Sequence, residues 1–322
     1  MTIVQNSLIF DYVEQQRFSP ARLADILRVS ESTVKRWVDR GLLSGTKTAG
    51  GHRKIALADV VVFLRSHGGS IPDLETLALL AGHSRPRGAD TVSADELADL
   101  FVKGQTDAAR TLVLAQFTAG RLVEEILDQL IGPAMAQVGE RWAAGAIDVY
   151  EEHLATQRCA RVLGELGQLM PAPSETAPLA LGGAPEDDPY ILPTLMAELT
   201  LRELRWRTLN LGPDVPAASF GEAIARHHPR LVWISITSNP LAPTFLANYP
   251  LAYEAARAHG AAVILGGQGL TPSLAQTMLA TAFGSRLTHL KALAQVLDSR
   301  AEPAGQAHPA ASNPRVDSAR DG

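Results

Sequence analysis

Residues 18–54 run FSPARLADILRVSESTVKRWVDRGLLSGTKTAGGHRK, and in that order they read as helix, tight turn, second helix and a basic, glycine-bearing hairpin. Ser19-Pro20 opens the first helix, whose apolar positions Leu23, Ile26 and Leu27 share one face at helical spacing. Val29-Ser30 turns the chain, and Ser30 is placed to cap a second helix with Thr33 on its first turn. Val34, Trp37 and Val38 form the buried stripe of that helix, which leaves Ser32, Thr33, Lys35, Arg36 and Arg40 on its outer faces. Hydroxyls bond base edges or phosphates, and Lys and Arg neutralise phosphates and pair with guanine, so this helix suits a DNA major groove.

The next residues, Gly45-Thr46-Lys47-Thr48-Ala49-Gly50-Gly51-His52-Arg53-Lys54-Ile55, combine paired glycines with several groups able to reach phosphate. From Met1 to about His67 the chain resembles the MerR family, in which a winged helix-turn-helix head continues into a helix after the wing. Ala58 to Leu64 supplies that helix here. The resemblance implies that Ser32 to Arg40 is the recognition helix and that Lys47, Thr48, His52 and Arg53 are wing contacts, His52 touching DNA and not a metal.

Charge agrees with one DNA-facing end. Residues 1–70 hold ten Lys plus Arg against six Asp plus Glu, whereas the whole 322-residue chain carries a formal net charge of −5. With 46% hydrophobic residues the chain can bury two or three modest cores. No apolar run has the length of a membrane span, the N-terminus lacks a secretory pattern, and the single cysteine, Cys159, excludes an intrachain disulfide or a multi-cysteine metal site. A soluble, cytoplasmic protein with no catalytic constellation and no metal-ligand set is expected.

Residues 71–92, with Pro72, Gly82, Pro86 and Gly88, have the composition of a connector after a head at 1–70. Ala94 to Val102, Asp107 to Thr118, Arg121 to Ala144 and Tyr150 to Leu169 then carry aliphatic stripes broken at Gly104, Gly120 and Gly145, which predicts a four-helix bundle over 93–170. Pro133 is expected to bend or break the third helix. Beyond Pro171-Ala172-Pro173-Ser174, strands at Leu179 to Gly182, Thr208 to Leu211, Leu231 to Ile236 and Ala262 to Leu265 alternate with helices near Leu195 to Glu203, Ala217 to His227 and Phe245 to His259. A short fifth strand near Ala280 to Phe283 and a helix from Leu287 to Leu297 complete a doubly wound parallel α/β sheet over 177–299, whose ligands bind beyond the carboxyl ends of the strands. The tail 300–322, rich in Pro, Ala, Ser and Asn, reads as disordered.

A bundle followed by such a sheet resembles the cobalamin-binding module of methionine synthase and corrinoid proteins, and with the head in front the chain resembles light-responsive regulators of the CarH/LitR type. That resemblance implies that Trp142, in Gly139-Glu140-Arg141-Trp142, and Glu152-His153, in Tyr150-Glu151-Glu152-His153, face the upper side of a corrin ring. In the sheet it is carried by Leu211-Gly212-Pro213-Asp214, Ser235-Ile236-Thr237 and Leu265-Gly266-Gly267-Gln268-Gly269, all at strand ends. Gly266 and Gly267 there allow close backbone approach to a ligand, and Ser235 and Thr237 can hydrogen-bond a nucleotide tail.

Two positions depart from that pattern. The family loop Asp-x-His-x-x-Gly, whose His ligates cobalt from below and whose Asp orients it, aligns with Asp188-Pro189-Tyr190-Ile191-Leu192-Pro193. Tyr190 replaces the His and Pro193 the Gly, and Ala143 follows Trp142 where light-responsive relatives often carry a second His. Three readings stay open. The sensor keeps its pocket with a tetrapyrrole held differently, as cobalamin without a His ligand, biliverdin or haem; the module serves assembly alone; or the chain is a corrinoid methyl-transfer carrier, which would not need a basic wing. Haem would take His153 or Cys159 as axial ligand, although Cys159 also suits simple packing within its helix. The expected partners are double-stranded promoter DNA and further copies of the chain, as dimer or tetramer, with no membrane.

Overall fold

A computed structural model of the chain describes residues 17–27, 29–47, 53–56, 59, 60, 63 and 92–299. Thr48 and His52, most of the connector and the tail 300–322 lie outside the described residues.

In the head, strand β1 (Arg17–Phe18) leads into helix α1 (Pro20–Leu27) and helix α2 (Glu31–Asp39). Ser19 accepts a hydrogen bond from the Arg22 amide at 3.2 Å, so the Ser-Pro start of α1 satisfies an amide that the helix itself leaves unpaired. Ser30 does the same for α2, its hydroxyl accepting from the Thr33 amide at 3.2 Å. Gly41, at φ +69°, lets the chain leave α2 in the left-handed conformation that other residues resist. Strands β2 (Thr46–Lys47) and β3 (Arg53–Ala56) pair antiparallel, Thr46 opposite Lys54 and Lys47 opposite Arg53, and β1 adds to the other edge of β3. The wing is therefore a three-stranded sheet in the order β1-β3-β2, one strand more than the hairpin pattern announces. Leu23, Val34, Leu43, Ile55 and Val60 are buried together, with Trp37 against Phe63 at a ring separation of 4.7 Å.

Helices α3 (Ala94–Val102), α4 (Thr106–Thr118), α5 (Val123–Ile126), α6 (Gly132–Ala143) and α7 (Val149–Gln168) form the bundle, α5 and α6 being one rod interrupted by a π-turn at Leu127–Ile131. The interruption expected at Pro133 is thus displaced upstream: Pro133 has no N–H for an ordinary helical bond, and the Gly132 amide instead reaches back to the Leu127 carbonyl. The rod also begins at Val123 and not at Arg121, because Gly120 at φ +89° ends α4 and Leu122 is extended. Leu97, Phe101, Val113, Leu127, Ile131, Ala155, Cys159 and Val162 meet in its core.

Strands β4 (Leu179–Gly183), β5 (Arg207–Asn210), β6 (Leu231–Ser235), β7 (Ala262–Gly266) and β8 (Ala282–Gly284) alternate with helices α8 (Ile191–Glu203), α9 (Ala217–His227), α10 (Pro243–Ala258), α11 (Pro272–Thr277) and α12 (Leu287–Ser299). All pairings are parallel and the order is β5-β4-β6-β7-β8, the doubly wound arrangement in which the connections leaving β4 and β6 part at the carboxyl edge. The short α11 is absent from the sequence reading because its Pro-Ser-Leu-Ala-Gln-Thr has no apolar stripe; none of its residues is buried. The central strands read as continuous aliphatic runs since helices cover both faces.

The bundle and sheet pack through α7 and α5 against α8 and α12. Leu192 and Leu199 of α8 enter the bundle core, and Asp128, held out by the π-turn, accepts hydrogen bonds from the Leu287 amide at 3.1 and 3.2 Å, capping α12 across the junction.

Candidate functional site

On the head, Ser32, Lys35, Arg36 and Arg40 are exposed and Thr33 is half-buried along α2. The Ser32 and Thr33 hydroxyls each lie 2.8 Å from the Ser30 hydroxyl, so they share the helix cap in the free chain. Lys35 pairs with Glu31 at 2.8 Å one turn back, and Arg53 of β3 pairs with Asp39 at the end of α2. That second pair fastens the β2–β3 hairpin to α2. An exposed pair of this kind contributes little stability, so phosphate can compete for the guanidinium at small cost. Lys47 of β2 stands opposite Arg53 of β3 in the strand register.

A second group of residues gathers at the bundle end where α6 passes into α7. Asp148 and Glu151 cap α7 reciprocally, which fixes the entry of the helix carrying Glu152 and His153. Arg141 binds Asp99 and Asp95 of α3, each at 2.7 Å, and Arg158 donates to the Phe101 carbonyl at 2.6 Å. The Asp99 carboxyl is held below the ordinary carboxylate range, by Lys103 first and Arg141 second. On this braced end Trp142 is 48% exposed and Tyr150 59%, beside exposed Val149 and Leu154. Glu152 is half-buried; one oxygen accepts from the Thr156 hydroxyl at 2.9 Å, and the other lies 3.6 Å from His153 Nε2, whose ring is largely open to solvent. Apolar surface rimmed by an acid and an imidazole is the kind that receives a flat ligand.

The third group lies at the carboxyl edge of the sheet. Asp188 is fully buried, and its Oδ2 accepts from the Thr237 amide at 2.5 Å and the Ser238 amide at 2.8 Å, while Oδ1 accepts from the Tyr190 amide at 3.3 Å. Ser235 pairs in register with Gly266, and the Ile236 amide donates to the Gly266 carbonyl at 2.6 Å. The structure thus brings together Asp188, Ser235, Thr237, Gly266 and Gly267. Tyr190 precedes the first residue of α8 and is 49% exposed, its side chain making no capping hydrogen bond. The Thr237 hydroxyl is buried with no hydrogen-bond partner among the described residues.

Cys159 is corrected as a haem ligand. It is buried in the bundle core, and desolvation pushes its thiol far above the ordinary range, so no thiolate faces any surface. Among the described residues, no group of three or more His, Cys, Asp or Glu is arranged to hold a metal ion.

Sequence reasoning missed the polar chain behind the sheet edge. Trp233 Nε1 donates to Thr194 Oγ1 at 3.0 Å, Thr194 donates to Asn210 Oδ1 at 3.0 Å, and Asn210 Nδ2 donates to Glu198 at 3.0 Å. Its sequence signal was faint: one Trp in the aliphatic run Leu231-Val232-Trp233-Ile234, opposite a glycine in another strand.

A cobalamin held in the family manner needs an imidazole at position 190 and room for its nucleotide arm within the sheet. Position 190 offers a phenol, and the Asp188 carboxylate that would orient an imidazole is taken by three amides. The residues at the sheet edge do not fit that mode, whereas the bundle face keeps its aromatic and ionisable groups.

Comparison with known proteins agrees with the geometry at both ends. Residues 18–68 match a helix-turn-helix domain family and residues 93–166 a B12 binding domain family. The chain is 27% identical over 245 residues to the HTH-type transcriptional repressor CarH of Myxococcus xanthus, covering 69% of this chain and 79% of that protein. Its fold is similar to the monomethylamine corrinoid protein of Methanosarcina barkeri, with TM-score 0.51 and 16% identity, covering 64% of this chain and 97% of that one.

Proposed function

We propose that this CarH-like chain, a DNA-binding regulator with a helix-turn-helix head and a B12-binding-type module, reports the presence of a corrin-type tetrapyrrole to a promoter in the cytoplasm. The observation that carries the reading is the braced, aromatic bundle end beside Glu152 and His153, in a module joined to a DNA-reading head.

Ser32, Thr33, Lys35, Arg36 and Arg40 would enter the major groove, and Lys47, Thr48, His52 and Arg53 would hold the flanking phosphates. One head covers too little DNA for tight specific binding, so copies assemble as a dimer or tetramer on paired half-sites. Trp142 offers its indole face to the ring, Glu152 and His153 meet polar groups at the ring edge, and the exposed Tyr190 faces it from the sheet. When bound, the tetrapyrrole supplies strong visible absorption and, as an organocobalt species, a bond that light can break. Trp142 and Glu152 then shift assembly only to the extent that their contacts differ between the two assembled states.

The test is absorption spectroscopy of the full chain after separate incubation with adenosylcobalamin, adenosylcobinamide, haem and biliverdin, in darkness and after illumination, with mass spectrometry of what remains bound. A retained, shifted band that is lost in Trp142→Ala is the expected result. No retained band with any of the four would leave the module with assembly as its role.

A further inference from the structure

We infer that Trp233 is a built-in substitute for the base of a nucleotide arm, so that the module takes an arm-less corrinoid and discriminates against cobalamin itself. The inference rests on the bundle face being the ring's seat.

Trp233 lies in the middle of β6, 2% exposed, on the face covered by α8 and α12. It stands in register with Ile264 of β7 and with Gly182 of β4, two residues before the loop 184–190 that leads into α8. An indole and a benzimidazole are both planar fused bicycles of similar size, and the indole N–H is satisfied within the protein, by Thr194 on the first turn of α8 at 3.0 Å. Gly182 is what admits the ring: a Cβ there would stand 2.1 Å from Trp233 Cδ2, closer than any atoms can approach. Thr194 passes the hydrogen bond to Asn210, which also accepts from the Gly212 amide at 3.0 Å, so the indole is tied to the loop after β5.

Gly266 and Gly267, expected to let a ligand approach, stand against protein backbone, as Gly183 and Gly269 do. A Cβ on Gly183 would meet the Gly212 carbonyl oxygen at 2.7 Å, on Gly266 the Gly284 oxygen at 2.8 Å, on Gly267 the Ile236 oxygen at 2.1 Å and on Gly269 the Thr237 oxygen at 2.6 Å. At each position backbone already occupies the space. An arm entering from the loop 184–190 would therefore have to expel a buried, hydrogen-bonded indole, whereas a ring without an arm asks nothing of the sheet interior.

The experiment titrates the full chain with dicyanocobinamide and cyanocobalamin, which share a corrin and differ by the arm, and follows both by absorption and equilibrium dialysis. The wild-type chain is expected to bind the cobinamide at least about tenfold more tightly. Trp233→Ala is expected to erase that preference and to gain thermal stability on addition of free 5,6-dimethylbenzimidazole, which fills the vacated space. Trp233→Phe, which keeps most of the packing, should relax the preference only in part and serves if the alanine variant does not fold. Equal binding of both corrinoids by the wild type would overturn the inference and leave the ring's seat standing. Binding of neither would overturn both. An alanine variant that retains the preference and ignores the benzimidazole would also overturn the inference.

Discussion

Lys291 of α12 places its Nζ 2.7 Å from Glu124 Oε1 of α5, and this contact joins the sheet to the bundle through charge. Glu203 of α8 completes the cluster, 3.1 Å from Lys291, with its other oxygen accepting from the Val123 amide at 3.1 Å. The side chains are 14%, 5% and 14% exposed for Lys291, Glu124 and Glu203, so one cation lies between two carboxyls at a nearly dry junction. Removing the cation in Lys291→Met leaves two buried acids without the charge that offsets them, and the expected loss is about 3–5 kcal/mol at neutral pH, read from the denaturant midpoint. Unchanged stability would show that water already screens the cluster.

The same cluster sets a pH dependence. Burial, and secondly the hydrogen bond with Glu124, hold the Glu203 carboxyl above its ordinary range despite Lys291. A raised carboxyl binds its proton more tightly folded than unfolded, so its contribution is complete below the ordinary carboxylate range and is lost as pH rises through the raised value. Lys291→Met should therefore be less destabilising in mild acid than at neutral pH. Burial lowers the Lys291 ammonium, but Glu124 and Glu203 outweigh it and leave it raised above the ordinary 10.5. Its contribution is present below that value and disappears as pH rises past the raised one. Wild type should lose stability in that alkaline range by a step that the Met variant lacks, measured by chemical unfolding across pH.

Asp188→Ala removes the acceptor of three amides from a fully buried site. Hydrogen bonds to a charged group contribute about 1.5–3 kcal/mol each, and the stranded amides add to the loss, so a fall of several kcal/mol is expected. Hydrogen exchange should accelerate first at Thr237 and Ser238. Protection unchanged at those two amides would mean that the loop after β6 holds itself.

The head, the bundle and the alternating sheet were legible because each rests on a local periodicity. Ser30 capping α2, the stripe at Val34, Trp37 and Val38, and the aliphatic runs of β4, β6 and β7 are short-range patterns that tertiary contacts reinforce. What escaped is non-local. The π-turn follows from Pro133 but appears before it, and its consequence, Asp128 capping α12, spans the two modules. Glu124, Glu203 and Lys291 look like ordinary surface charges until the fold packs their helices together. Gly266 and Gly267 read as glycines that let a ligand approach, but a glycine states only that something comes close, and the strand-end pattern does not announce that a Cβ on Gly267 would meet the Ile236 carbonyl or that Gly182 admits Trp233.

Arg36→Ala and Arg53→Ala should each weaken DNA binding and lower the salt slope by about one ion's worth, near 0.9 in the log–log plot. Arg53 should show the smaller loss, since its guanidinium must first leave Asp39, and Asp39→Asn should then tighten binding. Fluorescence anisotropy over a salt series distinguishes these; a slope unaltered by both arginine variants would remove the head from the DNA.

The most direct measurement is the affinity of the full chain for a duplex that it selects from a random pool, with and without saturating cobinamide in the dark. A ligand-reporting regulator shifts that affinity by about 5- to 150-fold, the usual range of coupling between two sites, and the shift vanishes in Trp142→Ala. Identical DNA affinity in both conditions, with the corrinoid demonstrably bound, would contradict the claim that the module reports its ligand to the head.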